Sequence, residues 1–369
     1  MTIIPLVDLR AQHAAVAENV AIGWQQVLDG TAFINGPQVA TFECEYAAYI
    51  GTRHCLGVAN GTDAIEIALR ALGIGPGDEC ILPANTFIAT AEAVCRAGAT
   101  PVLVDCADDD TYLMDIDAVA TAINSRTRAI IPVHLYGQAA PVELLLPLAE
   151  RVGAWVVEDA AQSQGARRNG MRAGALAHAA ATSFYPGKNL GAYGDAGAVL
   201  TNSDVSAQRM RLIRDHGSPR KYEHEILGVN SRLDTLQAVV LSAKLRRLDG
   251  WNSARRVAAA RYDALLSRCD AIVRPRTLDG NEHVWHLYVV RVPDRDRVLK
   301  ELHAAGIAAG IHYPTPLHLA PALAGLECAR GSYPVAERTA CELLSLPLFA
   351  EITPEQQQKV ASVLISALH

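Results

Sequence analysis

A mainly parallel, doubly wound α/β sheet joined to a smaller α+β domain is the fold this sequence predicts. Three observations carry that expectation. Apolar runs of strand length recur through the first half of the chain, and each is separated from the next by a stretch with helical periodicity. The runs are mostly continuous rather than alternating, as expected when helices cover both faces of a sheet. After Asn230 this βαβ rhythm gives way to a different grouping of elements.

The expected strands are 55–58, 79–83, 101–104, 129–133, 154–158, 180–184 and 198–200, and the helices between them are 62–72, 88–96, 116–123, 142–151 and 205–214. Beyond Asn230, residues 233–248 and 254–266 read as long helices interrupted at Gly250 and Trp251. An alternating strand over 283–290 follows, then helices over 297–305, 335–344 and 354–368. The division that results is a large domain over 1–249 and a smaller one over 250–369, with the N-terminal segment packing on the smaller.

Composition narrows the function classes. The chain has 369 residues, 50% hydrophobic and 20% charged, with a formal net charge of −6. That length buries a large core, and the balance excludes disordered and fibrous classes. The acidic charge speaks against nonspecific nucleic-acid binding, which needs clustered Lys and Arg. No apolar stretch approaches the roughly 20 residues of a membrane span, and residues 1–10 lack a basic-then-apolar signal pattern. A cytoplasmic protein is expected. The eight cysteines (44, 55, 80, 95, 106, 269, 328 and 341) are dispersed, without a CxxC pair, so free thiols are expected and no metal site.

Three windows carry chemistry. In Thr182-Ser183-Phe184-Tyr185-Pro186-Gly187-Lys188-Asn189, a strand runs into a turn that places Lys188 beyond the carboxyl edge of the sheet, where ligands of open α/β sheets bind. An amine among apolar and glycine neighbours can act as a Schiff-base nucleophile, and a surface turn is the alternative. In the second window, 154–163, a buried strand ends in Glu158 and Asp159. An acid there can keep a pyridine nitrogen protonated, or can cap a helix starting at Ala160. In the third, Asn60-Gly61-Thr62 opens a helix after a strand, and its free N–H groups can cradle a phosphate or serve only as a helix start. Phe87 follows another strand and can stack on a planar ring or fill the core.

In combination these windows, with Gly228-Val229-Asn230-Ser231-Arg232 and His312-Tyr313-Pro314, resemble the DegT/DnrJ/EryC1/StrS sugar aminotransferases, from Pro5-Leu6-Val7-Asp8-Leu9 to the C-terminal domain. The resemblance implies fold type I of the pyridoxal-phosphate enzymes, the aspartate-aminotransferase-like fold. It implies pyridoxal 5'-phosphate as cofactor, with its pyridoxamine form as intermediate. It further implies that Lys188 holds the cofactor as a Schiff base and moves protons, that Asp159 pairs with the ring nitrogen and Gln162 with the phenolic oxygen, and that Phe87 stacks on the ring. Gly61, Thr62 and Ser183 would hold the phosphate, Asn230 would reach it from the neighbouring subunit of a homodimer, and Tyr313 and His318 would lie near the sugar. Read locally, Asn230 would instead cap a helix starting at Ser231.

The implied reaction takes an amino group from L-glutamate and gives it to a nucleotide-linked keto-sugar. The lysine window and Lys221-Tyr222-Glu223-His224-Glu225 are similar to enzymes acting at C-3 of dTDP-3-keto-6-deoxyhexoses, while residues 189–194 lack the Thr-Thr-Gly-Glu-Gly run more common in C-4 aminotransferases. A sugar dehydratase of this family would carry histidine in place of Lys188. A noncatalytic regulator would not be expected to keep Lys188, Asp159, Gln162 and Ser183 together. Two departures stand out: Ala177-His178 where relatives commonly have Gly-Asp, and the cluster Arg167, Arg168 and Arg172, open both to a solvated face and to a diphosphate contact.

Overall fold

The computed structural model describes residues 3–369. Among the described residues twelve strands form, in chain order β1 (His54–Val58), β2 (Glu79–Pro83), β3 (Thr100–Val104), β4 (Thr127–Ile130), β5 (Trp155–Asp159), β6 (Arg167–Arg168), β7 (Met171–Arg172), β8 (Ala179–Ser183), β9 (Gly197–Thr201), β10 (Asn281–Glu282), β11 (Tyr288–Arg291) and β12 (Leu343–Leu346). Seven of them build the main sheet in the order β1-β9-β8-β5-β4-β2-β3. Neighbours from β8 through β5, β4 and β2 to β3 are parallel, and β9 runs antiparallel to both β1 and β8.

The continuous apolar runs follow from burial on both faces. On one face Leu56, Val58, Leu82, Ala181 and Val199 pack with Ile67 and Leu69 of the helix Gly61–Ala71. On the other, Cys55, Ala180 and Leu200 meet Phe42 and Tyr46 of the helix Pro37–Ile50, and Ile81, Ile130 and Val156 meet Leu145 of the helix Val142–Glu150. Each fully buried Leu or Ile contributes about 1.5–3 kcal/mol relative to exposure.

A second core gathers Ala258, Tyr262 and Leu266, Tyr288 and Val290 of β11, Leu344 and Leu346 of β12, and Val360 and Leu364 of the helix Pro354–Ser366. The N-terminal segment reaches it: Ile4 is part of this cluster and bridges Ile307, and Leu348 N–H donates to the Leu6 carbonyl at 3.1 Å. The helix Leu248–Leu266 joins the two cores, with Leu248 in the first and Tyr262 in the second.

Several expectations need correction here. Gly250 and Trp251 do not interrupt a helix; the break falls earlier, between the helices Thr235–Leu245 and Leu248–Leu266. Beyond its own turn of helix, nothing comes within 4 Å of where a Gly250 Cβ would lie, so this exposed first turn tolerates glycine. Of the strand expected over 283–290 only the end forms, as β11 at Tyr288–Arg291 paired with β12; β10 precedes that span and pairs with β6. The helix expected over 335–344 ends at Glu342 and continues as β12, because Leu343–Leu346 lies fully buried against β11. Among the described residues, no helix is long and apolar enough to cross a membrane.

Candidate active site

The carboxyl ends of β5 and β8 open onto a cavity of about 450 Å³. Gly61, Thr62, Phe87, Asp159, Gln162, Ser183, Lys188 and Tyr313 all line it. Sequence positions spread over some 250 residues are thus gathered at one edge of the sheet, where parallel strands release their loops.

Lys188 sits at the apex of the loop between β8 and β9. Its backbone N–H donates to the Tyr185 carbonyl at 2.8 Å, and Ala192 N–H closes the loop on the Phe184 carbonyl at 2.7 Å. Burial among apolar walls disfavours the ammonium and pulls the amine down to about 8, while the negative charge of Asp159 acts in the opposite sense. An amine poised this way is partly unprotonated near neutral pH, as a nucleophile and proton carrier requires.

Asp159, 5% exposed, ends β5. Its Oδ2 accepts the Thr90 hydroxyl at 2.7 Å and its Oδ1 accepts the Ala161 N–H at 3.1 Å. No helix follows Ala160, so Asp159 is not a helix cap; it anchors a turn and faces the cavity. Gln162 is gripped from both sides: its Oε1 accepts the Tyr136 N–H at 2.7 Å, and its Nε2 donates to the Tyr313 hydroxyl at 3.0 Å. Phe87 is half exposed, with its ring 5.2 Å from that of Tyr313, leaving a flat aromatic face toward the cavity.

The floor is a helix N-terminus. The Asn60 side chain accepts from Asp63 N–H and its carbonyl from Ala64 N–H, so the N–H groups of Gly61 and Thr62 have no partner within the helix. A Cβ on Gly61 would lie 2.7 Å from Ser183 Cβ, and one on Gly197 2.5 Å from the Asn60 backbone. Only glycine at both positions lets this turn press against the ends of β8 and β9. Ser183 accepts the Tyr185 N–H at 3.2 Å and keeps its own hydroxyl proton for an anion. The donor set and the helix dipole fit a phosphate. Together with a buried acid, a ring-facing aromatic and a poised amine, they fit pyridoxal 5'-phosphate.

Two expected residues lie elsewhere. His318 is buried outside the cavity lining: its Nε2 meets Glu337 at 2.8 Å and its ring edge packs on Tyr333 at 4.7 Å, because the turn Leu317–Leu319 aims it toward the helix Pro334–Glu342. Asn230 is exposed and bridges Asp215 on the surface. It caps no helix, since the next one starts at Thr235 after Asp234. Of the clustered arginines, Arg168 and Arg172 are neither a solvated face nor part of the cavity lining. Arg168 is buried and paired with both oxygens of Glu143, and Arg172 lies over the Tyr49 ring at 3.8 Å. In the Ala177-His178 departure, Ala177 N–H donates to the buried Glu158 and His178 Nδ1 accepts from Val156 N–H.

The cavity also holds residues to which sequence reasoning gave no role: Leu6, Val7 and His312, named only within motifs, and Thr90, Asp195 and His286. His286 lies well below the usual histidine range because it is buried, with the Lys188 charge adding to the effect. Burial and then Lys188 bring His312 to about 4, and its Nδ1 pairs with the Ser345 hydroxyl at 2.8 Å. Both rings are therefore neutral beside the amine. Among the described residues no cluster of His, Cys, Asp and Glu could hold a metal ion.

The sequence model of the DegT/DnrJ/EryC1/StrS aminotransferase family matches residues 16–365. A dTDP-3-amino-3,4,6-trideoxy-alpha-D-glucose transaminase of Streptomyces venezuelae is 46% identical, over 97% of this chain and 94% of the relative. A pleiotropic regulatory protein of Geobacillus stearothermophilus is 47% identical, over 97% and 96%. The crystal structure of S. venezuelae DesV in complex with a ketimine intermediate superposes with a TM-score of 0.97 at 45% identity, covering 99% of this chain and 98% of that one.

Proposed function

This chain belongs to the DegT/DnrJ/EryC1/StrS aminotransferase family, and from that premise we propose that it aminates C-3 of a dTDP-linked 3-keto-6-deoxyhexose, with L-glutamate as amino donor. It is a pyridoxal-phosphate-dependent sugar aminotransferase. The observation that carries the C-3 assignment is the similarity, at 46% identity over nearly the whole length, to a transaminase of a dTDP-3-amino sugar.

Pyridoxal 5'-phosphate, when bound, supplies the electron sink that lets an amino group change carbons. Gly61, Thr62 and Ser183 bind its phosphate, and Phe87 covers its ring. Asp159, fixed by Thr90 and Ala161, keeps a proton on the ring nitrogen. Gln162 donates to the phenolic oxygen. Lys188 Nζ removes the Cα proton of glutamate and, in the second half-reaction, delivers a proton to C-3 of the sugar. Neutral His286 and His312 add no positive charge beside that amine, so burial alone brings it down.

The catalytic unit in this reading is a homodimer in which Asn230 reaches the phosphate bound by the neighbouring subunit. The segment that carries it leaves Tyr222 83% and Leu227 89% exposed, apolar surface that a second copy would cover.

The test offers the holoenzyme glutamate with dTDP-3-keto-6-deoxyhexose and, separately, dTDP-4-keto-6-deoxyhexose, and locates the new amine by NMR. Amination at C-3 is expected. Amination at C-4 alone would overturn the regiochemistry. A regulatory role like that named for the Geobacillus relative predicts no 2-oxoglutarate from glutamate at all.

A further inference from the structure

Lys244 is 1% exposed, yet no carboxylate is bonded to it. It lies in the last turn of the helix Thr235–Leu245, where burial brings its amine down to about 8. Its Nζ donates to the Gly191 carbonyl at 2.6 Å and to Gln12 Oε1 at 2.7 Å, and it stands 4.6 Å above the centre of the Tyr193 ring. All three partners bear on the cavity. Gly191 and Tyr193 belong to the loop that presents Lys188. Gln12 belongs to the helix Leu9–Ala14, directly after Leu6 and Val7 of the cavity wall. The helix Thr235–Leu245 grips this loop a second time, since Gln237 Oε1 accepts the Tyr193 N–H at 2.8 Å.

A buried cation is costly unless its donors are satisfied. Here two acceptors and an aromatic face satisfy it, and they come from two segments, the Lys188 loop and the N-terminal helix, which His13 Nδ1 and the Tyr193 hydroxyl also join at 2.6 Å. We infer that Lys244 is a positioning residue, which locks the Lys188 loop and the N-terminal wall of the cavity into one unit. This rests on the role given to Lys188 above.

The experiment compares Lys244→Met, similar in length but unable to donate, with wild-type holoenzyme. Hydrogen exchange is expected to quicken in residues 6–13 and 189–193 and to stay unchanged in β2 to β5. Turnover is expected to fall roughly tenfold or more, as small displacements of reacting groups do, with KM for glutamate changed less than about threefold. Lys244→Arg should restore part of both. Unchanged local exchange and turnover, or faster exchange throughout the chain, would overturn the inference. Should Lys244→Met not fold, Gln12→Leu cuts only the bond between Lys244 and the N-terminal helix, leaving His13 on Tyr193, and must quicken exchange in residues 6–13 alone. Exchange is read whether or not the wild type aminates a sugar, so failure of the assigned function and failure of this inference are separable.

Discussion

The Thr90 hydroxyl donates to Asp159 Oδ2 at 2.7 Å, so a side chain from the helix Ile88–Arg96 fixes a carboxylate at the end of β5. Thr90 stands three residues after Phe87, so one short segment both orients the acid and supplies the aromatic face. Hydrogen bonds to charged groups contribute about 1.5–3 kcal/mol. Thr90→Val is therefore expected to lower turnover by roughly 10- to 100-fold. Steady-state kinetics beside a spectrophotometric titration of pyridoxal 5'-phosphate checks this; wild-type values for both would show that Asp159 needs no such support.

The amine of Lys188, brought to about 8 against an ordinary 10.5, gives a pH dependence of definite sign. The reactive neutral form grows as pH rises through about 8. Recombination of apoprotein with pyridoxal 5'-phosphate should accelerate with pH and level off above that value. Because Asp159 raises the amine, Asp159→Asn should move the inflection to lower pH. A rate that still climbs toward 10.5 would mean that burial does not tune the lysine.

Gly197→Ala tests the phosphate cradle. Its Cβ would sit 2.5 Å from the backbone of Asn60, so the turn that holds Gly61 and Thr62 must shift. Overpacking of this kind costs about 1–3 kcal/mol. The expected result is at least about tenfold weaker binding of pyridoxal 5'-phosphate with little change for unphosphorylated pyridoxal, measured by equilibrium fluorescence quenching.

His318→Gln should act on stability rather than on the sugar. The buried histidine joins Glu337 at 2.8 Å and packs its ring on Tyr333, and glutamine removes that ring from the packed interior. A lower thermal midpoint with an unchanged KM for the nucleotide sugar is expected. A raised KM at unchanged stability would return His318 to the substrate site.

Subunit complementation tests Asn230. Lys188→Ala and Asn230→Ala homodimers should each be inactive, whereas a reassociated equal mixture should recover about one quarter of wild-type activity, because half the dimers are mixed and each keeps one intact site. No recovery would mean that Asn230 serves its own subunit.

Much of this site was legible in the sequence, for identifiable reasons. Ser183, Asp159 and Asn60 stand where continuous apolar runs stop, so the strands announced their own carboxyl ends. Lys188 follows such an end within one Pro- and Gly-rich turn. Thr90, Asp195 and His286 were missed because each looks unremarkable in its own window and gains meaning only through contacts with distant segments. The arginine cluster was misread for the same reason: Glu143 and Tyr49, which occupy Arg168 and Arg172, lie 25 and 123 positions away. Buried β12 was hidden because four residues after a helix carry no periodicity of their own.

The helix Leu248–Leu266 has one end in each core. A rigid rod embedded at both ends transmits rotation rather than absorbing it, so the second core cannot swing about this connection without bending a helix or tearing Leu248 or Tyr262 from its neighbours. A chimera that borrows the C-terminal core of a relative must therefore take the junction upstream, at Arg246 and Arg247, and carry the whole helix with it. A graft cut at residue 250 would join two half-helices whose apolar faces were shaped for different partners.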